Sequence, residues 1–338
     1  MSRVRELLER ERARPPFDIL RAAHAELLVT DLDAAEEFYV ERLGLVATAR
    51  LGRALYLRGW EEHLHHSLVL RQAAEPAVGH IAFRVREDAD LTALGKAFAA
   101  LGCDWRWEEG ERGQGPGLRV LDPFGFPLEF FREMDVVEPL TQAFHLQRGA
   151  PVMRFDHVNL HVTNVERALE HWLDLGFRCS EYISTDAPEE RVTGAWALRK
   201  STVHDLALTA GRGPRLHHVG LYVAEPLGVI RACDQLASAG LAGCIERGPG
   251  RHGVSNAFFV YLRDPDGHRV ELYACDYYTG DPDRPPIRWS TTDPSCRSFW
   301  GARAPDSWYE ESSTLLDLDG RPVPVADADV EERSHLMA

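Results

Sequence analysis

Three residues far apart in this chain stand at matching places in strand-like segments. They are His157 in "FDHVNLHV", His218 (next to His217) in "LHHVGLYV" and Glu271 in "DPDGHRVELY". One such residue alone is more often a half-buried structural group. Two neutral imidazoles and a carboxylate on converging strands are instead a metal-ligand set that leaves coordination positions open, the arrangement used by non-haem Fe(II) oxygenases. Asn159 follows His157 by two residues and so shares its strand face, where it fits a hydrogen-bond donor in the pocket. The segment "IERGPGRHG" supplies Arg247, Arg251 and His252, and a later stretch supplies Arg297. The planar guanidinium fork suits a carboxylate. The glycines of "RGPGRHG" do not make a phosphate loop, because no Gly-Lys-Ser/Thr follows and no helix opens there.

The elements that position these residues come from an internal repeat. "DPDGHRVELY" echoes "DPFGFPLEFF", which begins at Asp122. "HVNLHVTNVERALEHWLDLGF" from His157 echoes "HAELLVTDLDAAEEFYVERLGL" from His24, and "GHIAFRV" matches "HHVGLYV". Each copy reads as a short strand, an amphipathic helix and further strands. Four β-α-β-β-β units starting near residues 22, 78, 155 and 216 predict an α+β fold in which paired repeats close into two open barrels. The expected layout is a helical arm over 1–20 closed by Pro15-Pro16, domains over 21–138 and 150–282, and a tail over 283–338. The tail's Trp289, Phe299, Trp300, Trp308 and Tyr309 predict wrapping over the body as a lid rather than disorder. The N-terminal domain repeats the triad as His24, His80 and Glu129, with His66 in register with His204. It has Arg119 at the position of Tyr261 and Glu26 at that of Asn159. A cation beside a divalent metal opposes its binding, so this half is expected to be non-catalytic.

Composition narrows the partners. The chain has 338 residues, 44% of them hydrophobic, and a net charge of −15. That length supports two cores, and that charge opposes nucleic acid. With no apolar run long enough to span a bilayer and a charged N-terminus, neither a membrane segment nor a secretory signal is expected. The six cysteines show no CxxC or zinc spacing, which predicts reduced thiols and a cytoplasmic protein.

The run "RLHHVGLYV…IERGPGRHGVSNAFFVYLRDPDGHRVELYACDYYTGDPD" resembles the extradiol catechol dioxygenases of the vicinal oxygen chelate superfamily, within them the branch that cleaves homoprotocatechuate (3,4-dihydroxyphenylacetate). The resemblance implies that His157, His218 and Glu271 hold Fe(II), or Mn(II), and it selects His218 over His217, which is then expected on the opposite strand face. It further implies His204 of "TVHDLAL" as the acid/base group, Tyr261 of "FVYLRD" as hydrogen-bond partner of a catecholate oxygen, Arg247 and Arg297 on the substrate carboxylate, and His252 and Trp196 near the ring. The implied reaction is meta cleavage of the catechol by O2 in a homotetramer. Another substituted catechol, or a non-enzymatic aromatic-binding module of the same fold, is the alternative. Glyoxalase-type isomerases need a further acidic ligand, which "HDLALTA" does not offer after Asp205.

Overall fold

The protein is described by a computed structural model covering residues 3–186 and 188–330. Residues 1–2 of the expected arm and 331–338 of the expected tail lie outside the described residues. A short helix α1 (Arg3–Glu9) leads into two units of the predicted order. The first is β1 (Ile19–Val29), α2 (Leu32–Glu36), β2 (Val46–Leu51), β3 (Ala54–Arg58) and β4 (Leu68–Gln72). The second is β5 (Ala77–Val85), α3 (Asp88–Ala100), β6 (Trp105–Glu108), β7 (Gly117–Leu121) and β8 (Pro127–Phe131).

The third unit comprises β9 (Val152–Val162), α4 (Val165–Asp174), β10 (Arg178–Ser184), β11 (Val192–Leu198) and β12 (Leu206–Ala210). The fourth comprises β13 (Arg215–Val223), α5 (Pro226–Ser238), β14 (Ile245–Arg251), β15 (Phe258–Arg263) and β16 (Arg269–Ala274). A last strand β17 (Ile287–Ser290) and helix α6 (Asp306–Glu310) follow.

The strands form two curled sheets, ordered β2-β3-β4-β1-β5-β8-β7-β6 and β14-β15-β16-β13-β9-β12-β11-β10-β17. In each, the first strands of two units pair antiparallel at the centre, β1 with β5 and β9 with β13. Each is flanked by the parallel last strand of its own unit, β4, β8, β12 or β16. The central strands are covered on both faces and are almost continuously buried, as parallel neighbours require.

The repeated Asp-Pro-x-Gly phrase now has a local reason. Asp122 Oδ1 accepts from the backbone N–H groups of Phe124 and Phe126 at 2.9 and 2.8 Å, and Asp264 Oδ1 accepts from those of Asp266 and His268 at 3.0 and 2.8 Å. Gly125 and Gly267 take φ of +88° and +85°, which glycine adopts without a Cβ penalty. Each phrase is therefore a side-chain-closed turn that sets the register of the strand carrying the glutamate.

One apolar core runs through both domains. Trp172 of α4, 1% exposed, lies 5.1 Å ring to ring from Phe83 of β5. Burying such a side chain is worth roughly 1.5–3 kcal/mol or more, so the two barrels are held face to face. The chain after β16 crosses both of them. β17 pairs with β10, Ser313 bridges Leu216, Leu315 bridges Val78, and Ala326 bridges Gly213. Among the described residues no helix is long and apolar enough to cross a membrane.

Candidate metal centre and substrate cavity

The strand register brings the three predicted ligands together. Gly220 of β13 is paired on one side with His157 of β9 and on the other with Glu271 of β16. A Cβ there would stand 2.2 Å from the His157 ring, so only glycine admits the imidazole between the strands. His157 Nε2 lies 3.3 Å from His218 Nε2 and 3.0 Å from Glu271 Oε2, and His218 Nε2 lies 3.2 Å from that same oxygen. Neighbouring ligands at right angles on bonds of about 2.1–2.2 Å are separated by about 3.0 Å. The three atoms therefore already have the spacing of one face of an octahedron, and a first-row divalent ion fits them. Burial opposes ionisation of Glu271, but the hydrogen bonds from His157 and His218 outweigh it and hold the carboxyl well below its ordinary range.

Two β-bulges shape the second layer. β9 advances from Phe155 to His157 while β13 advances only from Leu221 to Gly220, which leaves Asp156 as the extra residue. The bulge aims Asp156 back along the strand, where its Oδ2 lies 3.2 Å from His157 Nδ1 and its Oδ1 3.1 Å from Lys200 Nζ. A carboxylate on the remote nitrogen fixes the ring and leaves Nε2 for a metal. The second bulge corrects an expectation. His217 is the extra residue between Leu216 and His218, so it does not turn to the opposite face. Its Nδ1 is 2.7 Å from His218 Nδ1, its Nε2 is 3.0 Å from the Trp308 carbonyl, and it lines the same cavity.

That cavity, of about 310 Å³, is lined by every residue singled out in the sequence for this half except Arg251. His204 lies with its ring 4.0 Å from that of His157 and its Nδ1 buried without a partner. Burial first, then the neighbouring His157, holds it well below the usual histidine range. Tyr261 shares a hydrogen bond of 2.9 Å with His252 Nε2, and burial followed by the charge of Glu271 pushes its phenol well above its usual range. Asn159 Oδ1 accepts from Thr209 Oγ1 at 2.8 Å, which leaves its N–H groups as donors. Trp196 forms part of the wall.

Arg247 is 5% exposed. It donates through Nη2 to Ser298 Oγ at 2.7 Å and to the Arg297 carbonyl at 3.3 Å, while its Nε has no partner. Its guanidinium sits 4.4 Å above the Trp308 ring. His252 Nδ1 is hydrogen-bonded to the Arg297 carbonyl. Ser298, Asp156 and Lys200 are not among the residues the sequence points to, and Trp308 is expected there only as an aromatic of a wrapping tail. The Asp immediately before His157 was the one available signal, and strand alternation argued against using it.

With this geometry in place, comparison with known proteins is decisive for class. The Glyoxalase/Bleomycin resistance protein/Dioxygenase superfamily matches residues 21–130 and 154–272, and the chain belongs to it. It is an extradiol ring-cleaving dioxygenase. The chain is 33% identical over 291 residues to a manganese-dependent 2,3-dihydroxybiphenyl 1,2-dioxygenase of Geobacillus genomosp. 3, covering 80% of this chain and 90% of that protein. It is 30% identical over 311 residues to a metapyrocatechase of Geobacillus stearothermophilus, covering 87% of this chain and 94% of the relative. Among solved structures, the homoprotocatechuate 2,3-dioxygenase of Brevibacterium fuscum, in complex with 3,4-dihydroxyphenylacetate, superposes with a TM-score of 0.90 at 45% identity, covering 94% of this chain and 100% of that one. The homoprotocatechuate 2,3-dioxygenase of Arthrobacter globiformis gives 0.89 at 46%, covering 93% and 97%.

Proposed function

We propose that the chain cleaves 3,4-dihydroxyphenylacetate beside its diol, inserting both atoms of O2 to give a hydroxymuconic semialdehyde, with His157, His218 and Glu271 holding Fe(II) or, with the same donors, Mn(II). The observation that carries the substrate reading is Arg247, a buried guanidinium with an unpartnered Nε in the cavity that the three ligands share. A neutral catechol gives such a cation nothing to pair with, whereas an arylacetate carboxylate does.

A divalent metal held by His157, His218 and Glu271 would supply Lewis-acid and electron-transfer chemistry between a catechol and O2. The protein's groups do the rest. His204, neutral and facing the His157 ring, accepts the proton the catechol gives up and returns it as the ring opens. Tyr261 keeps its proton and donates to a catecholate oxygen, with His252 bonded behind it. Asn159 donates an N–H on the same strand face as His157. Trp196 walls the ring, and Arg247 and Arg297 take the carboxylate, so the ring is oriented from both ends. In this reading domain 150–282 is catalytic, 21–138 is its non-catalytic duplicate, and 283–338 is the lid. Assembly into a homo-oligomer in the cytoplasm belongs to it as well. The exposed Val136, Phe144 and Leu146 offer apolar surface for such assembly, and light scattering measures it.

Metal analysis of anaerobically purified protein, followed by oxygen uptake on a panel of catechols, tests the reading. A yellow ring-cleavage product formed with clear preference for 3,4-dihydroxyphenylacetate is expected. Equal turnover of catechol, 2,3-dihydroxybiphenyl and the arylacetate would sink the substrate assignment while leaving the class intact.

A further inference from the structure

The two halves carry the same triad in different surroundings. In the N-terminal half His24 of β1, His80 of β5 and Glu129 of β8 are buried, with ligand atoms all within 4.8 Å of one another. His80 Nε2 is 2.9 Å from His24 Nε2 and 2.9 Å from Glu129 Oε2. His24 Nε2, however, stands 3.9 Å from Glu129 Oε2, where the corresponding His157–Glu271 distance is 3.0 Å.

Two substitutions account for the opened triangle. Gly220, paired with His157 and Glu271, corresponds to Ala82, which is paired with His24 and Glu129. Because a Cβ on Gly220 would lie 2.2 Å from the His157 ring, the methyl of Ala82 and a histidine placed like His157 exclude each other. Tyr261, paired with Glu271, corresponds to Arg119, paired with Glu129. Arg119 Nε lies 3.0 Å from Glu129 Oε2, the oxygen that faces His80, as an ion pair rather than an aligned hydrogen bond, while Gln114 donates to Oε1. Both oxygens of this carboxylate are therefore engaged by the protein itself.

We propose that the Arg119 guanidinium is the resident cation of the N-terminal triad, and that this side chain, with Ala82 holding His24 aside, converts a divalent-metal site into an internal ion pair. The electrostatics run the same way. A buried carboxylate needs a compensating charge, and Arg119 provides one that cannot dissociate. A divalent ion among His24, His80 and Glu129 would sit a few ångströms from that guanidinium and be repelled. Without Arg119 the balance reverses. Glu129 would lack its cation, and Glu26, bound to Arg71 at 2.6 Å, sits beside His80 with Oε1 3.6 Å from Nδ1. The triad-facing nitrogens, His24 Nε2 and His80 Nε2, would then be held only by each other and by Glu129. Two imidazoles and a carboxylate in an anionic pocket suit a first-row divalent ion.

Manganese content after reconstitution with Mn(II) and desalting tests this. Expected are about one equivalent per chain in the wild type, none in His218→Ala, and a further equivalent in Arg119→Tyr combined with Ala82→Gly, which copies the surroundings of the other half. In the His218→Ala background that double substitution should hold one equivalent and lose it on Glu129→Gln. Arg119→Met combined with Ala82→Gly should lower Tm in chelator, and Mn(II) should restore it. Manganese retained in His218→Ala would overturn the proposal, since the native N-terminal triad would then be a working metal site. So would a folded Arg119→Tyr/Ala82→Gly protein with no added equivalent, or failure of both Arg119 variants to fold even in Mn(II). A wild type without manganese would count against the catalytic site instead.

Discussion

Replacing Arg247 with Ala removes a cation whose setting fixes the size of the effect. The guanidinium is buried, stacked on Trp308 and bonded to Ser298, and its Nε has no hydrogen-bond partner among the described residues. Burial is the first cause lowering the pKa of this side chain, so the cation is held at a cost that an incoming carboxylate relieves. A charge-assisted hydrogen bond of this kind contributes about 1.5–3 kcal/mol. At 1.36 kcal/mol per factor of ten, kcat/KM for 3,4-dihydroxyphenylacetate should fall about 10- to 150-fold. The proposed ligands His157, His218 and Glu271 are untouched, so metal content should not change. Activity on 4-methylcatechol, which has the ring but no carboxylate, separates charge pairing from lost packing and should change less than about threefold. Arg247→Lys should recover part of the loss, since a point charge replaces the fork. Steady-state oxygen uptake on both substrates is the assay. An equal loss on both would make Arg247 a packing residue under Trp308 and remove the reason for assigning an arylacetate.

Three further outcomes follow from the same geometry. His218→Ala should lose tight metal binding and turnover, whereas His217→Ala should keep the metal and raise KM, because His217 touches the Trp308 carbonyl of the tail; metal analysis beside kinetics separates the two, and equal metal loss in both would refute the ligand assignment. His204→Phe should retain metal and bind catechol but slow turnover by about a hundredfold or more and release hydrogen peroxide; unchanged rate and coupling would remove its proton-transfer role. Asp122 carries an unpartnered buried Oδ2, and burial raises its pKa to about 7. Folding then favours the protonated form, a contribution fully present below about pH 4 and lost as pH rises through 7. Asp122→Asn should therefore leave Tm nearly unchanged at pH 4.5 and raise it at pH 8, by up to roughly 2–4 kcal/mol in stability; a pH-independent difference in calorimetry would contradict this.

The reach of the sequence follows from where each contact lies along the chain. The triad was legible because His157, His218 and Glu271 recur at fixed places in a repeated β-α-β-β-β unit, and pairing the first strands of successive units makes those places converge. Asp156 and His217 were not, because alternation along a regular strand sends adjacent side chains to opposite faces, and only a bulge reverses that. Nothing in "FDH" or "LHH" announces which residue is extra. The substrate end was half legible. Arg247 and Arg297 could be named by type, but what holds Arg247 is Ser298, 51 residues away, in a tail with no hydrophobic period to predict its path. The same tail brings Trp308 onto Arg247 and its carbonyl onto His217, beside the proposed ligand His218. On the proposed roles, the carboxylate end of the cavity and the metal end share one stretch of tail as their wall. On that reading, the group that takes the carboxylate is tied to Ser298 and to the backbone of Arg297, whose carbonyl also holds His252 behind Tyr261. On the proposed roles, recognition of the side chain and orientation of the reacting ring therefore run through the same tail contacts.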